Sequence, residues 1–228
     1  MGDWQRERRK DTFYKAAKAE GYRARSAFKL KEIDAKFRIM RPGDVVVDLG
    51  AAPGGWSQVA KERVGENGVV IGVDLDFVQP TMGVTFVRGD MTEPGTVLAV
   101  LERIKERTGK DDNSVDAVVS DMSPNISGKY TMDQARSYWL CENALRFAEK
   151  VLKPGGHFIA KIFEGEDFPA FREMLQARFE VVKTFHPEAS RKQSSEVYVI
   201  AKGFKPGRTP RRAGSGEDTE AWWDETAS

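Results

Sequence analysis

Val45-Val46-Val47-Asp48-Leu49-Gly50-Ala51-Ala52-Pro53-Gly54-Gly55-Trp56 runs from a β-branched stretch into a glycine-rich turn, and a helix-compatible segment follows at once, through Val64. A short, near-continuous apolar run of this kind reads as a strand covered on both faces. Strand, turn and helix in immediate succession make it the first unit of a parallel α/β sheet. The glycines let the backbone turn tightly and let a ligand approach it closely, so Gly50, Ala51, Pro53, Gly54 and Trp56 are candidate cofactor-binding positions. Their spacing is not G-x-G-x-x-G, which disfavours a dinucleotide and a Rossmann dehydrogenase.

The alternation continues outward from this unit. Strands are expected at Val45–Leu49, Val69–Asp74, Val84–Val87, Val115–Ser120, His157–Phe163, Val181–Phe185 and Val197–Ala201. Helices are expected over Trp56–Val64, Pro94–Thr108, Asp133–Leu152 and Phe168–Ala177, with Lys153-Pro154-Gly155-Gly156 as a helix stop followed by a turn. The last two strands have no helix between them and so pair antiparallel at one edge of an otherwise mostly parallel seven-stranded sheet. Ahead of the sheet, Ser26 is expected to cap a helix through Phe37 that lays Ala27, Leu30, Ile33 and Phe37 on the body, with Lys29 in its first turn. No internal repeat is present.

In such a sheet ligands bind beyond the carboxyl ends of the strands. Two more loops at that edge carry acids. The second strand ends in Val73-Asp74, 20 residues after Gly54, where a carboxylate can accept hydrogen bonds from both hydroxyls of a ribose. Arg88-Gly89-Asp90-Met91 closes the third strand, placing Asp90 to meet an adenine amino group and Met91 to pack on its ring. Each feature alone has a plain structural alternative, a turn glycine or a helix cap. Three in consecutive loops converge on one crevice.

The chain has 228 residues, 36 Lys/Arg, 35 Asp/Glu and 40% hydrophobic residues, a composition that excludes wholesale disorder. No apolar run approaches the ~18 residues of a membrane helix. The charged N-terminus lacks the apolar stretch of a secretory signal, so a cytoplasmic, membrane-free protein is expected. One cysteine, Cys141, and two histidines, His157 and His186, leave a structural zinc site without ligands, and metal-free chemistry is expected. The charge is polarised: residues 1–41 hold 13 Lys/Arg against 6 Asp/Glu, whereas residues 42–203 hold 19 against 24. A basic arm before an acidic body fits a polyanionic partner, although a charge run is also what a solvated helix face looks like. Three segments are expected: a basic arm and helix over 1–41, a body over 42–204, and a disordered tail over 205–228 around Trp222-Trp223.

Asp48–Trp56 with Gln58, Ser120-Asp121-Met122-Ser123-Pro124-Asn125 and Ala160-Lys161-Ile162-Phe163 together resemble the RrmJ/FtsJ family of RNA ribose 2′-O-methyltransferases, over about residues 11–204. The likeness is greatest to members that methylate a uridine of large-subunit ribosomal RNA. The resemblance implies the Rossmann-like class I S-adenosylmethionine-dependent methyltransferase fold, with the last-but-one strand of the sheet antiparallel. It implies S-adenosyl-L-methionine as cofactor and a catalytic tetrad of Lys29, Asp121, Lys161 and Glu196, with Asp121 also touching the cofactor. A monomer acting on ribosomal RNA in a large-subunit particle is the expected form. A transfer-RNA anticodon-loop 2′-O-methyltransferase and a non-catalytic RNA-binding scaffold are the alternatives.

The tetrad suits the chemistry. Methyl transfer from a sulfonium to a ribose oxygen needs in-line alignment and removal of a poorly acidic proton. Lysines have a reference pKa of ~10.4 and act as bases only where burial or a nearby cation favours the neutral amine. Lys29 is expected to be that cation for Lys161, with Asp121 and Glu196 orienting the amines. For RNA, Arg6, Arg8, Arg9, Lys10, Lys15, Lys18, Arg23 and Arg25 are expected phosphate contacts, with Trp4, Phe13, Tyr14 and Tyr22 as stacking surfaces. Phe13 and Tyr14 are equally compatible with core positions. The loop Asn125–Tyr130 is expected either to close over the target nucleotide or to be a flexible surface turn.

Overall fold

The computed structural model describes residues 12–109, 114–190 and 195–207. Trp4, Arg6, Arg8, Arg9, Lys10 and the tail from residue 208, with Trp222-Trp223, lie outside the described residues. A first helix, α1, covers residues 12–19. The order that follows is α2 (Ala27–Phe37), β1 (Val45–Leu49), α3 (Gly55–Val64), β2 (Val69–Asp74), β3 (Val84–Arg88) and α4 (Pro94–Thr108). The second half runs β4 (Val115–Ser120), α5 (Tyr130–Val151), β5 (Leu152–Phe163), α6 (Phe168–Arg178), β6 (Phe179–Phe185) and β7 (Glu196–Phe204).

The seven strands form one sheet in the order β3-β2-β1-β4-β5-β7-β6. The first five are mutually parallel, while β7 is antiparallel to both neighbours. The expected antiparallel pairing is thus found at one edge, with the reversed strand β7 next to last and β6 outermost, as the resemblance implies. Reversal brings the first residue of β7, Glu196, opposite Phe163 at the carboxyl end of β5. All the parallel strands also end along that edge.

Two cores cover the sheet. Val47, Leu49, Ile71, Val118, Phe158 and Val199 pack under α4, α5 and α6. Val46, Val70, Val119, Ile159, Tyr198 and Ile200 pack under α2 and α3, together with Ala17 of α1. Strand alternation accounts for the division. Leu30 and Ile33 of α2 are fully buried, and each stabilises that helix on the sheet by about 1.5–3 kcal/mol. Lys29 is fixed in space by those two neighbours.

Local deviations have identifiable causes. Ser26 stands at the N-cap of α2, but its side chain makes no capping bond. Its carbonyl instead accepts the Trp56 indole N–H at 2.8 Å. The Lys153–Gly156 segment lies inside β5: Val115 pairs with Leu152 and Ala117 with His157, so the four residues between loop out as a bulge. Helix α5 starts at Tyr130, before Asp133, whose carboxylate turns back onto the Ser127 and Gly128 N–H groups at 2.9 and 3.1 Å. Among the described residues no helix is long and apolar enough to cross a membrane.

Candidate active site

The loop after β1 is closed onto β2 by two backbone bonds, from the Gly50 and Ala51 N–H groups to the Val73 carbonyl at 2.9 and 3.1 Å. A third comes from the Ala52 N–H to Asp74 Oδ2 at 2.8 Å, while Asp74 Oδ1 accepts the Asp76 N–H at 2.8 Å. Asp74 therefore shapes the loop while keeping a second lone pair on each oxygen. The Ala52–Pro53 peptide is cis. The glycines answer to protein neighbours rather than to a ligand alone. A Cβ at Gly50 would stand 2.2 Å from Met122 Cγ, and one at Gly54 would stand 2.9 Å from Arg23 Nη1. Both residues have positive φ, 73° and 113°.

Asp48 lies beneath this loop, fully buried, and accepts the Ser57 hydroxyl on Oδ2 at 2.6 Å. Its Oδ1 has no hydrogen-bond partner among the described residues. Burial first, then the negative charges of Asp121 and Asp74, raise its pKa to about 7 against the opposing Ser57 bond. Trp56, one of the candidate cofactor positions, is 3% exposed and stacks on Tyr198 with ring centroids 5.8 Å apart. It supports the loop from below. Asp90 Oδ1 accepts both the N–H and the hydroxyl of Thr92, at 2.8 and 2.7 Å, and Met91 packs at the margin of the core.

The four tetrad residues, far apart in sequence, meet at the carboxyl edge on the α2 side of the sheet. Lys29 donates to Glu196 Oε1, while Lys161 donates to the Asp121 backbone carbonyl at 2.7 Å and forms an ion pair with Asp121 Oδ1 at 3.0 Å. Both lysine side chains are 9% exposed. Burial alone would raise the Glu196 pKa, but the ammonium groups of Lys29 and Lys161 outweigh it and hold the carboxyl below its ordinary value. Between the two pairs stands Tyr198, which the sequence reading missed. Its hydroxyl donates to Asp121 Oδ1 at 2.6 Å and lies 3.1 Å from Glu196 Oε1. Burial and the two carboxylates push its pKa well above the ordinary tyrosine value. Period-two alternation from Glu196 along β7 is the signal that could have found it, and the pairing of Lys161 opposite Tyr198 completes it.

The expected RNA residues separate into two groups. Lys15, Lys18 and Tyr14 are exposed on α1, with Tyr14 at 63%. Arg25 is half-buried beside them in sequence. Tyr22 is not a stacking surface: it is buried, and its hydroxyl donates to the Glu62 carboxylate at 2.6 Å. Arg23 donates from Nη1 to the Pro53 carbonyl at 3.3 Å and to that of Gln79, and from Nη2 to that of Pro80 at 2.7 Å. Its guanidinium is thus engaged by three carbonyls at the surface of the molecule. Phe13 leans on Phe28 at 5.7 Å. The 125–130 loop is pinned by Asp133 and, through Arg136, by the Asn125 carbonyl, which favours an ordered rim over a flexible turn.

Comparison with known proteins places the chain in a family. A family model described as FtsJ-like methyltransferase covers residues 22–204. The ribosomal RNA large subunit methyltransferase E of Halorubrum lacusprofundi is 52% identical over 197 residues, 86% of this chain and 71% of the relative. The protein of the same name from Azoarcus sp. strain BH72 is 51% identical over 197 residues, 86% of this chain and 93% of the relative. Among solved structures, one described as a ribosomal RNA methyltransferase from Plasmodium falciparum superposes with a TM-score of 0.71 at 28% identity, covering 80% of this chain and 98% of that one. With most of its length matched and all its strands inside the match, the chain belongs to the FtsJ-like methyltransferase family.

Proposed function

We propose that this protein is an S-adenosylmethionine-dependent ribose 2′-O-methyltransferase acting on a uridine of large-subunit ribosomal RNA, as a cytoplasmic monomer. The observation that carries the reading is the buried meeting of Lys29, Asp121, Lys161 and Glu196 directly beside the loop after β1. The names of the relatives support the substrate class. The donor set fits the cofactor: Asp74 offers spare lone pairs to ribose hydroxyls, and Asp90 Oδ2, which accepts no bond among the described residues, suits an adenine amino group. Gly50, Ala51, Pro53 and Gly54 would line the remainder, with Met91 against the ring. When bound, the cofactor supplies a methyl group on a positively charged sulfur.

The residues of the chain do the rest. A neutral lysine has two N–H bonds and one lone pair. Lys161 is held by one N–H bond to the Asp121 carbonyl oxygen and by the carboxylate 3.0 Å away, and in its neutral form its lone pair would take the proton of the 2′-hydroxyl. Asp121 then stabilises the ammonium that forms. Lys29, held by Glu196, keeps a positive charge near the reacting oxygen, where negative charge grows during attack. The rigid strand ends align these groups, and alignment supplies much of the rate. The exposed cations of α1, with Arg25 and the residues of the arm before it, would track the RNA backbone.

The test is transfer of a labelled methyl group to large-subunit particles and naked ribosomal RNA from cells lacking the protein, followed by mapping. A single 2′-O-methyluridine is expected. A methyl group on a base, or transfer only to transfer RNA, would overturn the reading.

A further inference from the structure

The guanidinium of Arg23 has no part in the proposed reaction, yet it is among the most heavily engaged polar groups near the site. Arg23 lies between α1 and α2, in the stretch where positive charge was expected to serve RNA. Its backbone N–H donates to Gln58 Oε1 at 3.0 Å, and Gln58 Nε2 returns a bond to the Gly21 carbonyl at 3.0 Å. That clasp fixes the segment against α3. From it the side chain reaches three carbonyl oxygens belonging to two loops: Pro53 in the loop after β1, and Gln79 and Pro80 in the connector that follows Asp74. The fit is close: a Cβ at residue 54 would lie 3.3 Å from Arg23 Cδ and 2.9 Å from Nη1, so the guanidinium would have to shift to admit one. Gly55 is confined by Ala24 in the same way, at 3.3 Å.

We propose that Arg23 is a positioning residue for the cofactor, joining the loop after β1 to the loop after β2 so that both walls of the nucleoside crevice are set before it is filled. This rests on the S-adenosylmethionine reading of the crevice. Three carbonyl dipoles aimed at one point repel one another, and a planar cation with several divergent N–H groups satisfies them together. Lysine would have to gather all three acceptors around one nitrogen on a flexible stem, so it replaces the planar fork only in part. A crevice whose walls are already joined binds without the entropy loss of ordering them.

The experiment is calorimetric titration of the full chain with S-adenosylhomocysteine, which binds without turnover, beside RNA binding measured over a range of salt. Arg23→Ala is expected to weaken S-adenosylhomocysteine binding about tenfold, the effect of losing a charged hydrogen-bonding group. Arg23→Lys should fall between it and wild type. RNA affinity and its salt slope should stay at wild-type values, and in steady state the loss should fall on KM for the cofactor more than on kcat. Unchanged S-adenosylhomocysteine affinity with weaker RNA binding and a shallower slope would overturn the proposal and return Arg23 to the phosphate contacts. Equal loss of both affinities with a lowered melting temperature in both variants would overturn it too, as a general folding defect. Failure of the wild-type protein to bind S-adenosylhomocysteine removes the cofactor reading itself, so the two failures are distinguishable.

Discussion

The two halves of the carboxyl edge are built differently. On the nucleotide half, Asp74 and Asp90 take backbone N–H groups within their own turns or the adjacent loop, and their geometry is set over a few residues. On the tetrad half, Lys29 reaches Glu196 across 167 positions and Tyr198 reaches Asp121 across 77. The first half is local and open, with spare lone pairs; the second is long-range and buried, with its charges matched in pairs. Binding can be assembled from turns. A base that must hold an unprotonated amine needs contacts from the whole fold, because its position and its electrostatics both depend on groups brought from elsewhere.

Breaking the tetrad half should stop chemistry and spare binding. Lys161→Ala is expected to lower single-turnover methyl transfer by about 10²–10⁴-fold, with cofactor and RNA affinities near wild type. Lys161→Arg should be nearly as damaging, since guanidinium keeps the charge but does not release its proton in the working range. Near-normal turnover in Lys161→Arg would make Lys161 a positioning cation. Removing Lys161 also takes the cation from the Asp121 carboxylate and leaves it the Tyr198 hydroxyl, so a fall in melting temperature should accompany the lost rate in Lys161→Ala.

The nucleotide half should respond in the opposite sense. Asp74→Ala is expected to weaken S-adenosylhomocysteine binding about ten- to a hundredfold by calorimetry, while chemistry at saturating cofactor changes less. A smaller effect should follow deletion of residues 1–10, which carry four Lys/Arg. RNA affinity should fall by several-fold with a shallower salt slope, each lost phosphate contact on single-stranded RNA reducing the slope by about 0.7. Cofactor affinity should not move.

The smallest effect concerns Asp48, which lies beneath both halves. Its folded pKa, about 7, stands above the ordinary carboxylate value of 3.8, so the folded state holds a proton that the unfolded state has released. The stability it contributes is complete below the unfolded value and is lost as pH rises through about 7. Between pH 5 and 8 the wild-type melting temperature should drop about 5–10 °C more than that of Asp48→Asn. Parallel curves for the two proteins would show that Asp48 is ionised throughout.

The β-branched runs of β1, β2 and β4 were legible to the residue, because buried parallel strands leave no other reading for such stretches. The meeting of Lys29, Asp121, Lys161 and Glu196 is foreseen only through the resemblance, since nothing in local pattern joins residue 29 to residue 196. What stayed hidden depended on tertiary neighbours. Tyr22 and Arg23 look like free surface residues in a basic stretch, yet Tyr22 is buried on Glu62 and the Arg23 guanidinium is held by three carbonyls. The glycine at 54 reads from sequence as room for a ligand alone, whereas Arg23 stands on the side a Cβ there would occupy. Lys153–Gly156 carries every mark of a turn, and only the pairing on either side shows that it interrupts a strand.

The place of β7 has a consequence for how the molecule comes into being. Strand β6 precedes β7 in the chain but among the described residues has no hydrogen-bonded strand neighbour except β7, which separates it from β5 by two inter-strand spacings, roughly 9–10 Å in all. As the chain leaves the ribosome, β1 to β5 can zip up in register while β6 waits without a ladder. The strand that fills the gap is the one that opens with Glu196. The protein therefore cannot have a charge-matched pair of lysines before its last strand is in place, and in refolding from denaturant methyl transfer should return with the final kinetic phase.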